Sequence, residues 1–450
     1  MLERFLALAA AKPEAVALIE GHSDLTLSRM QLAARIEEVA RQCLEAGLHE
    51  GDVVGLQLPN CIDFIAAFGA VLRLRMTALL LDRDALEVSV GGILRSFSAR
   101  ALIGSQDGSL TISRHPAARK VDLPENTRVI KLTSGSTGAP KGIAMSEEAL
   151  LADCLNICAT MGIGPDDVNL GAIHLSHSYG FSNLVTPLFV QGTAMVITND
   201  YLPQSILSLC NRHHCTVVPA IPMVFDHLIL AASGDFETVR TFISAGAPLS
   251  ATTSRHFRER FGSSIHTFFG CSECGGITYD RGGAAVERGT VGRAMEGVEL
   301  SREASRLVVH GPNVASGYLL ESGAFQPFDS QRYVADDLVE FRENGEVVLT
   351  GRSSDLINTA GRKVNPREVE QVLLQIEGVR EAKVYGEPAG PRGEVVAAAI
   401  VADPGVTREE IRAFCRQRLS AHKVPRILKL IDAIPLDDRG KVSRAALAAL

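Results

Sequence analysis

Ten consecutive residues concentrate groups that bind phosphate: Thr133-Ser134-Gly135-Ser136-Thr137-Gly138-Ala139-Pro140-Lys141-Gly142. Glycines let a backbone approach a phosphate closely, hydroxyls and amide N–H groups donate to its oxygens, and a lysine adds positive charge. The spacing is not that of a Walker A loop, which needs Gly-x-x-x-x-Gly-Lys-[Ser/Thr]; here Pro140 precedes the lysine and Gly142 follows it. The plainer reading is a flexible Ser/Gly surface loop. Its position speaks against that, because an apolar strand over 129–132 leads in and a helix is expected to start near Glu147.

The elements around this loop follow a wider pattern. Apolar residues at helical spacing run over 25–46, with a Ser28-x-x-Gln31 capping box near the start and Gly47 as the stop. Strand signals at 53–58 and 77–81 flank a helical one at 62–72, and the apolar runs 193–198, 217–221 and 242–245 read as further buried strands. Such alternation over the first 270 residues predicts an α/β fold with largely parallel sheets and helices on their faces. After about Gly289 short alternating segments (307–310, 339–342, 346–350) have antiparallel β character. From about 353 a polar hairpin, a helix over 367–376, strands near 382–385 and 395–401, and a helix opened by Thr407-x-x-Glu410 make a small α+β unit. The expected division is therefore 1–352, with a β-rich part at about 289–352, and 353–450, with the joint near 351–354.

Composition narrows the class. The chain has 450 residues, of which 46% are hydrophobic and 22% charged, and this excludes disorder and low-complexity architectures. A net charge of −7 gives no electrostatic reason to seek a nucleic acid or an anionic membrane. No stretch reaches eighteen apolar residues, since Arg73 and Arg75 interrupt the longest run, and the amino terminus lacks a signal-peptide pattern. Nine cysteines are too sparse for a disulfide framework. The expectation is a soluble, reduced, cytoplasmic protein without a transmembrane segment, monomeric or homodimeric.

The phosphate loop resembles the signature of the adenylate-forming superfamily: acyl-CoA and aryl-CoA ligases, luciferases and the adenylation domains of peptide synthetases. Other stretches carry the same resemblance in the same order. His174-Leu175-Ser176-His177-Ser178-Tyr179-Gly180-Phe181 is similar to the family's pocket motif, and Ser244-Ala245-Gly246-Ala247-Pro248-Leu249 to its adenine-binding turn. Phe269-Gly270-Cys271-Ser272-Glu273 is similar to Tyr-Gly-x-Thr-Glu; Asp337, Gly351-Arg352 and Gly440-Lys441 complete the series. The resemblance implies a large amino-terminal domain of layered α/β sheets with a β-barrel-like subdomain, and a small mobile carboxy-terminal domain.

It also implies a two-step reaction. A carboxylate attacks the α-phosphate of ATP to give an acyl-adenylate and pyrophosphate, and a thiol then takes the acyl group. The first step brings two anions together, so catalysis must position them and neutralise charge. By the resemblance Thr133, Ser134, Gly135, Ser136, Thr137, Gly138 and Lys141 hold the β- and γ-phosphates. Ser272 donates to the α-phosphate and Glu273 holds Mg²⁺, a hard cation that takes oxygen ligands. Gly246, Ala247 and Pro248 flank the adenine, Phe269 stacks on it and Gly270 follows. Asp337 accepts the ribose hydroxyls, Arg352 reaches the same sugar, and Lys441 bridges carboxylate and α-phosphate. Ser354 falls at the joint about which the small domain rotates, and Gly361, Arg362 and Lys363 fall on the hairpin lining the pantetheine tunnel. His177 and Phe181 line the acyl pocket.

Some positions depart from the family pattern. Tyr333-Val334-Ala335-Asp336-Asp337 keeps the ribose aspartate but not the Thr-Gly turn before it, and Phe269 lacks the usual tyrosine hydroxyl. The pocket motif has no aspartate for an amino group, so a neutral fatty or aryl acid is expected, with CoA as acceptor because no carrier domain follows. A separate acyl carrier protein is the alternative acceptor. A degenerate chain that only binds nucleotide or acyl ligand is the alternative to turnover. Three cysteine patterns have plainer readings than metal sites: Cys271-x-x-Cys274 overlaps the Glu273 motif, the segment from Cys210 through His213 and His214 to Cys215 sits at a helix end, and Cys154 and Cys158 are spaced to face a core from one helix. His177 is not needed as a base, since a carboxylic acid is already ionised at neutral pH.

Overall fold

The computed structural model describes residues 1–116, 121–134, 140–329, 331–359, 362–388, 394–435 and 446–447. The chain forms two compact units, one of residues 1–301, 308–333 and 342–347, the other of 302–307, 334–341 and 348–450. The second unit thus includes segments that precede the expected joint at 351–354. Among the described residues no helix is long and apolar enough to cross a membrane.

The first unit contains two large mixed sheets. In the nine-stranded one the centre is parallel: Val16–Glu20, Ala194–Ile197, Val168–Gly171, Val217–Ala220, Thr241–Ser244 and Ile265–Cys271. Antiparallel strands close its edges, Thr26–Ser28 on one side, Gly275–Tyr279 and Arg293–Ala294 on the other. In the eight-stranded sheet Ala101–Gln106, Val53–Leu56, Thr77–Leu80 and Thr127–Ser134 are parallel. Every residue of Val53–Leu56, Thr77–Leu80 and Val217–Ala220 is buried, which is why these strands read as unbroken apolar runs. Aromatic rings fill the spaces between layers. Phe68 meets Phe181 and Phe189 edge-on at 4.9 and 5.5 Å, and Phe225, Phe242 and Phe257 form a second such cluster.

The helix expected over 25–46 is Arg29–Glu45, opened by the Ser28–Gln31 capping box as the sequence suggests. Its first expected turn is instead the strand Thr26–Ser28, captured by pairing with Val16–Glu20. The helix expected to start near Glu147 does so, as Glu147–Met161, but an unexpected strand, Pro140–Ser146, antiparallel to Thr127–Ser134, lies between it and the phosphate loop. The apolar run 143–145 is too short for periodicity to tell strand from helix. Pro140–Ser146 in turn pairs with Gly317–Leu319.

In the second unit Glu394–Ala402 pairs antiparallel with Val379–Pro388 and parallel with Ile427–Leu430. The helices Pro366–Leu373 and Arg408–Arg418 bury Val369, Leu373, Ile411 and Cys415 in a core with Val384, Ala398 and Ile400. The capping box expected at Thr407 and Glu410 is formed. Asn365 caps the first of these helices and donates to Thr350 O at 2.7 Å, and Arg367 donates to Leu349 O at 2.6 Å.

Candidate active site

In the first unit the site is built on two hairpins. Thr133 and Lys141 face each other across the pair Thr127–Ser134 and Pro140–Ser146, so both ends of the phosphate loop leave from one point. Gly135, Ser136, Thr137 and Gly138 lie outside the described residues, as do Gly361 and Lys441. The strand Gly317–Leu319 lies beside Pro140–Ser146 and brings Tyr318 to Lys141, whose Nζ is 5.3 Å from the ring centre. The Tyr318 hydroxyl donates to Glu273 Oε1 at 2.8 Å and is 3.2 Å from the Tyr333 hydroxyl. Burial, reinforced by the Glu273 carboxylate, pushes both phenols far above their ordinary range, so they remain protonated donors.

Ser272 and Glu273 occupy the tight turn between Ile265–Cys271 and Gly275–Tyr279. That turn is held from several sides. Ser178 Oγ donates to Ser272 Oγ at 2.7 Å, Ala315 N to Glu273 O at 2.8 Å, and Asn313 Nδ2 to Cys274 O at 2.6 Å. Asp153, on the helix Glu147–Met161, accepts from Gly276 N at 2.8 Å. Its carboxyl is fully buried, and so is Lys131 on the strand Thr127–Ser134. Burial raises the first and lowers the second, each towards its uncharged form. The neighbouring Cys274 thiol and burial push the Cys271 thiol well up.

The motif around His177 folds tightly over this turn. His177 N donates to His174 O and Phe181 N to His177 O. A Cβ on Gly180 would lie 2.1 Å from His174 O, so only glycine allows this closure. Tyr179, half-buried, donates to Ile243 O at 2.9 Å and pins the motif to the strand Thr241–Ser244. His177 is partly exposed, with Nε2 3.8 Å from Asp82 Oδ2 and its ring edge-on to His174 at 5.2 Å. Phe181 is wholly buried against Phe68, so it supports the pocket from behind and presents no surface to a ligand in this conformation. Gly246, Ala247 and Pro248 are exposed just past Thr241–Ser244, and Phe269 and Gly270 lie at the end of the adjacent parallel strand. The register Ser244–Thr267 sets these two groups level at the carboxyl ends of the sheet, where open α/β folds bind ligands.

In the second unit Arg352 Nε donates to Asp337 Oδ1 at 3.1 Å, and Asp337 is 9% exposed. Asp336 accepts from the Ser354 amide at 3.1 Å and from the hydroxyls of Ser353 and Ser354. Burial opposes its charge, but these hydrogen bonds outweigh that and hold the carboxyl below its usual range. Asp336, which breaks the family's Thr-Gly pattern, is thus the residue that holds Ser353 and Ser354. Arg362 and Lys363 are exposed on the strand Arg362–Val364, paired with Ile357–Thr359.

Cation binding can be judged from the donor chemistry. Among the described residues no group of three or more His, Cys, Asp or Glu side chains is assembled for a metal. Glu273 brings one carboxylate beside a lysine and hydroxyls. That set suits Mg²⁺, which is usually held by one or two carboxylates together with substrate phosphates and water.

Comparison with known proteins agrees with this geometry. A model of the AMP-binding enzyme family matches residues 5–319, and one of the AMP-binding enzyme C-terminal domain matches 368–441. The 2-succinylbenzoate–CoA ligase of Geobacillus kaustophilus is 27% identical, over 97% of this chain and 95% of that protein. A feruloyl-CoA synthase of an Amycolatopsis species is 25% identical, over 96% and 94%. The solved structure of the o-succinylbenzoate CoA synthetase of Bacillus subtilis with its acyl-adenylate intermediate has a TM-score of 0.82 at 23% identity, over 99% of this chain and 98% of that one; at that identity it speaks for the fold. With motifs, fold and a family model spanning most of its length in agreement, the chain belongs to the AMP-binding enzyme family.

Proposed function

We propose that the protein uses ATP to convert a neutral fatty or aryl carboxylic acid into an acyl-adenylate, releasing pyrophosphate, and then forms a thioester with CoA. The observation that carries this reading is that Tyr318, on the strand Gly317–Leu319, joins Lys141 of one hairpin to Glu273, beside Ser272, of another. A positive charge, a fixed carboxylate and a fixed hydroxyl are the groups that would neutralise a triphosphate, and charge neutralisation is what this step demands.

In this scheme Lys141 and the loop hydroxyls bind the β- and γ-phosphates, while Ser272 donates to the α-phosphate. Tyr318 orients the Glu273 carboxylate through Oε1, and Glu273 would hold Mg²⁺. Bound there, the ion would draw charge from the phosphate oxygens and so ease the departure of pyrophosphate. Gly246, Ala247, Pro248 and Phe269 take the adenine, and Asp337 with Arg352 the ribose. Lys441 supplies the charge that joins carboxylate to α-phosphate. His177 lines the acyl side of the site.

The second step uses the small domain, with Ser354 at the joint and Gly361, Arg362 and Lys363 on the pantetheine side. CoA is favoured over a carrier protein because the relatives named above are CoA ligases. Pyrophosphate release that requires both an added acid and Mg²⁺ supports the reading. ATP left intact with every acid offered would overturn it in favour of a protein that only binds.

A further inference from the structure

The turn that carries Ser272 and Glu273 is bracketed by two thiols. Cys271 ends the strand Ile265–Cys271 and pairs with Gly275, the first residue of Gly275–Tyr279. Cys274 N donates to Cys271 O at 3.4 Å, which closes the turn. The ends of such a four-residue turn lie within about 7 Å, inside the range of Cα separations that a disulfide spans. Accessibility is divided between them: Cys271 is half-buried and Cys274 buried, whereas both members of the Cys154–Cys158 and Cys210–Cys215 pairs are buried.

We propose that Cys271 and Cys274 are a dithiol–disulfide couple whose oxidation switches off the adenylation turn. The inference rests on the reading that Ser272 and Glu273 serve adenylation. Cys271 is the entry point for a low-molecular-weight disulfide. On losing its proton, the Cys271 sulfur attacks one sulfur of the oxidant, one small thiol leaves, and a mixed disulfide forms. Cys274 then attacks the Cys271 sulfur and releases the second small thiol. The protein loses two electrons and two protons, and the small disulfide gains both.

The consequence for the site follows from how firmly the flanks are held. Gly275 has φ +67°, and a Cβ there would lie 2.1 Å from the Asp153 carboxylate, so the backbone is wedged against that side chain. Asp153 also grips Gly276 N, and Asn313 grips Cys274 O. Drawing the sulfurs to about 2.05 Å must therefore be absorbed by the residues between them. These are Ser272, held by Ser178, and Glu273, held by Tyr318.

The test uses the full chain treated with oxidised glutathione, alkylated and mapped by peptide mass spectrometry, with acid-dependent pyrophosphate release measured on the same samples. The expected result is a Cys271–Cys274 linkage lighter by two hydrogens and a loss of adenylation of about tenfold or more, reversed by a reductant. Cys274→Ala and, separately, Cys271→Ser should remain active and insensitive to the oxidant. Both thiols still alkylated after treatment would overturn the couple. A linkage formed with adenylation unchanged, or the variants inactivated as readily as the parent, would overturn the switch. Should the reduced protein make no adenylate at all, the functional reading fails by itself, and the thiol map still decides whether the couple exists.

Discussion

The Tyr318 hydroxyl donates to Glu273 Oε1 across 2.8 Å, from a ring that also faces the Lys141 ammonium. One tyrosine therefore ties the carboxylate of one hairpin to the lysine of the other. A hydrogen bond to a charged group contributes about 1.5–3 kcal/mol. Tyr318→Phe should accordingly lower kcat/KM for adenylation by roughly 10- to 10²-fold while circular dichroism stays unchanged. Unaltered kinetics would show that Glu273 needs no such support.

Glu273→Gln removes the charge that a hard cation would use and keeps the shape. The Mg²⁺ concentration for half-maximal adenylation should rise about tenfold or more, with the KM for the acid nearly constant. A Mg²⁺ titration of pyrophosphate release decides it, and an unshifted curve would remove Glu273 from the cation site.

Lys441→Ala separates the two half-reactions. Adenylation should fall by roughly 10²-fold, by analogy with removing one charge-stabilising donor, while thioester formation from a preformed acyl-adenylate should be much less affected. Equal losses in both would contradict the role given to this lysine.

His174 offers a stability test. Burial, aided by the nearby Arg83, lowers its pKa from 6.5, so the folded protein keeps the ring neutral where the unfolded chain would bind a proton. Stability from this source is present above 6.5 and is lost as pH falls below it. The difference in urea midpoint between the parent and His174→Gln should therefore shrink on acidification through that window. A difference that grows would mean the folded state favours the charged ring.

Much of the site was legible because its chemistry lies in continuous stretches. Thr133 to Lys141 and Phe269 to Glu273 show their hydroxyls, lysine and carboxylate in order. What sequence order hides is contact between strands. Tyr318 meets Glu273 from 45 positions away, and its role exists only because Gly317–Leu319 pairs with Pro140–Ser146. That second strand was itself obscured, since three apolar residues before a capped helix fit either period. Phe181 had the right type for a pocket, yet its facing depends on Phe68 across the layer. Asp336 read as the loss of a turn, whereas its two oxygens hold Ser353 and Ser354.

The central claim is an acid-activating, thioester-forming enzyme, and one measurement reaches it directly. The purified protein is incubated with ATP, Mg²⁺ and a panel of aliphatic and aryl acids, with and without CoA, and the products are identified by mass spectrometry. An acyl-adenylate without CoA and an acyl-CoA with it, for at least one acid, is the predicted result. An adenylate that accumulates and never passes to CoA would contradict the choice of acceptor, and intact ATP with every acid would contradict catalysis itself.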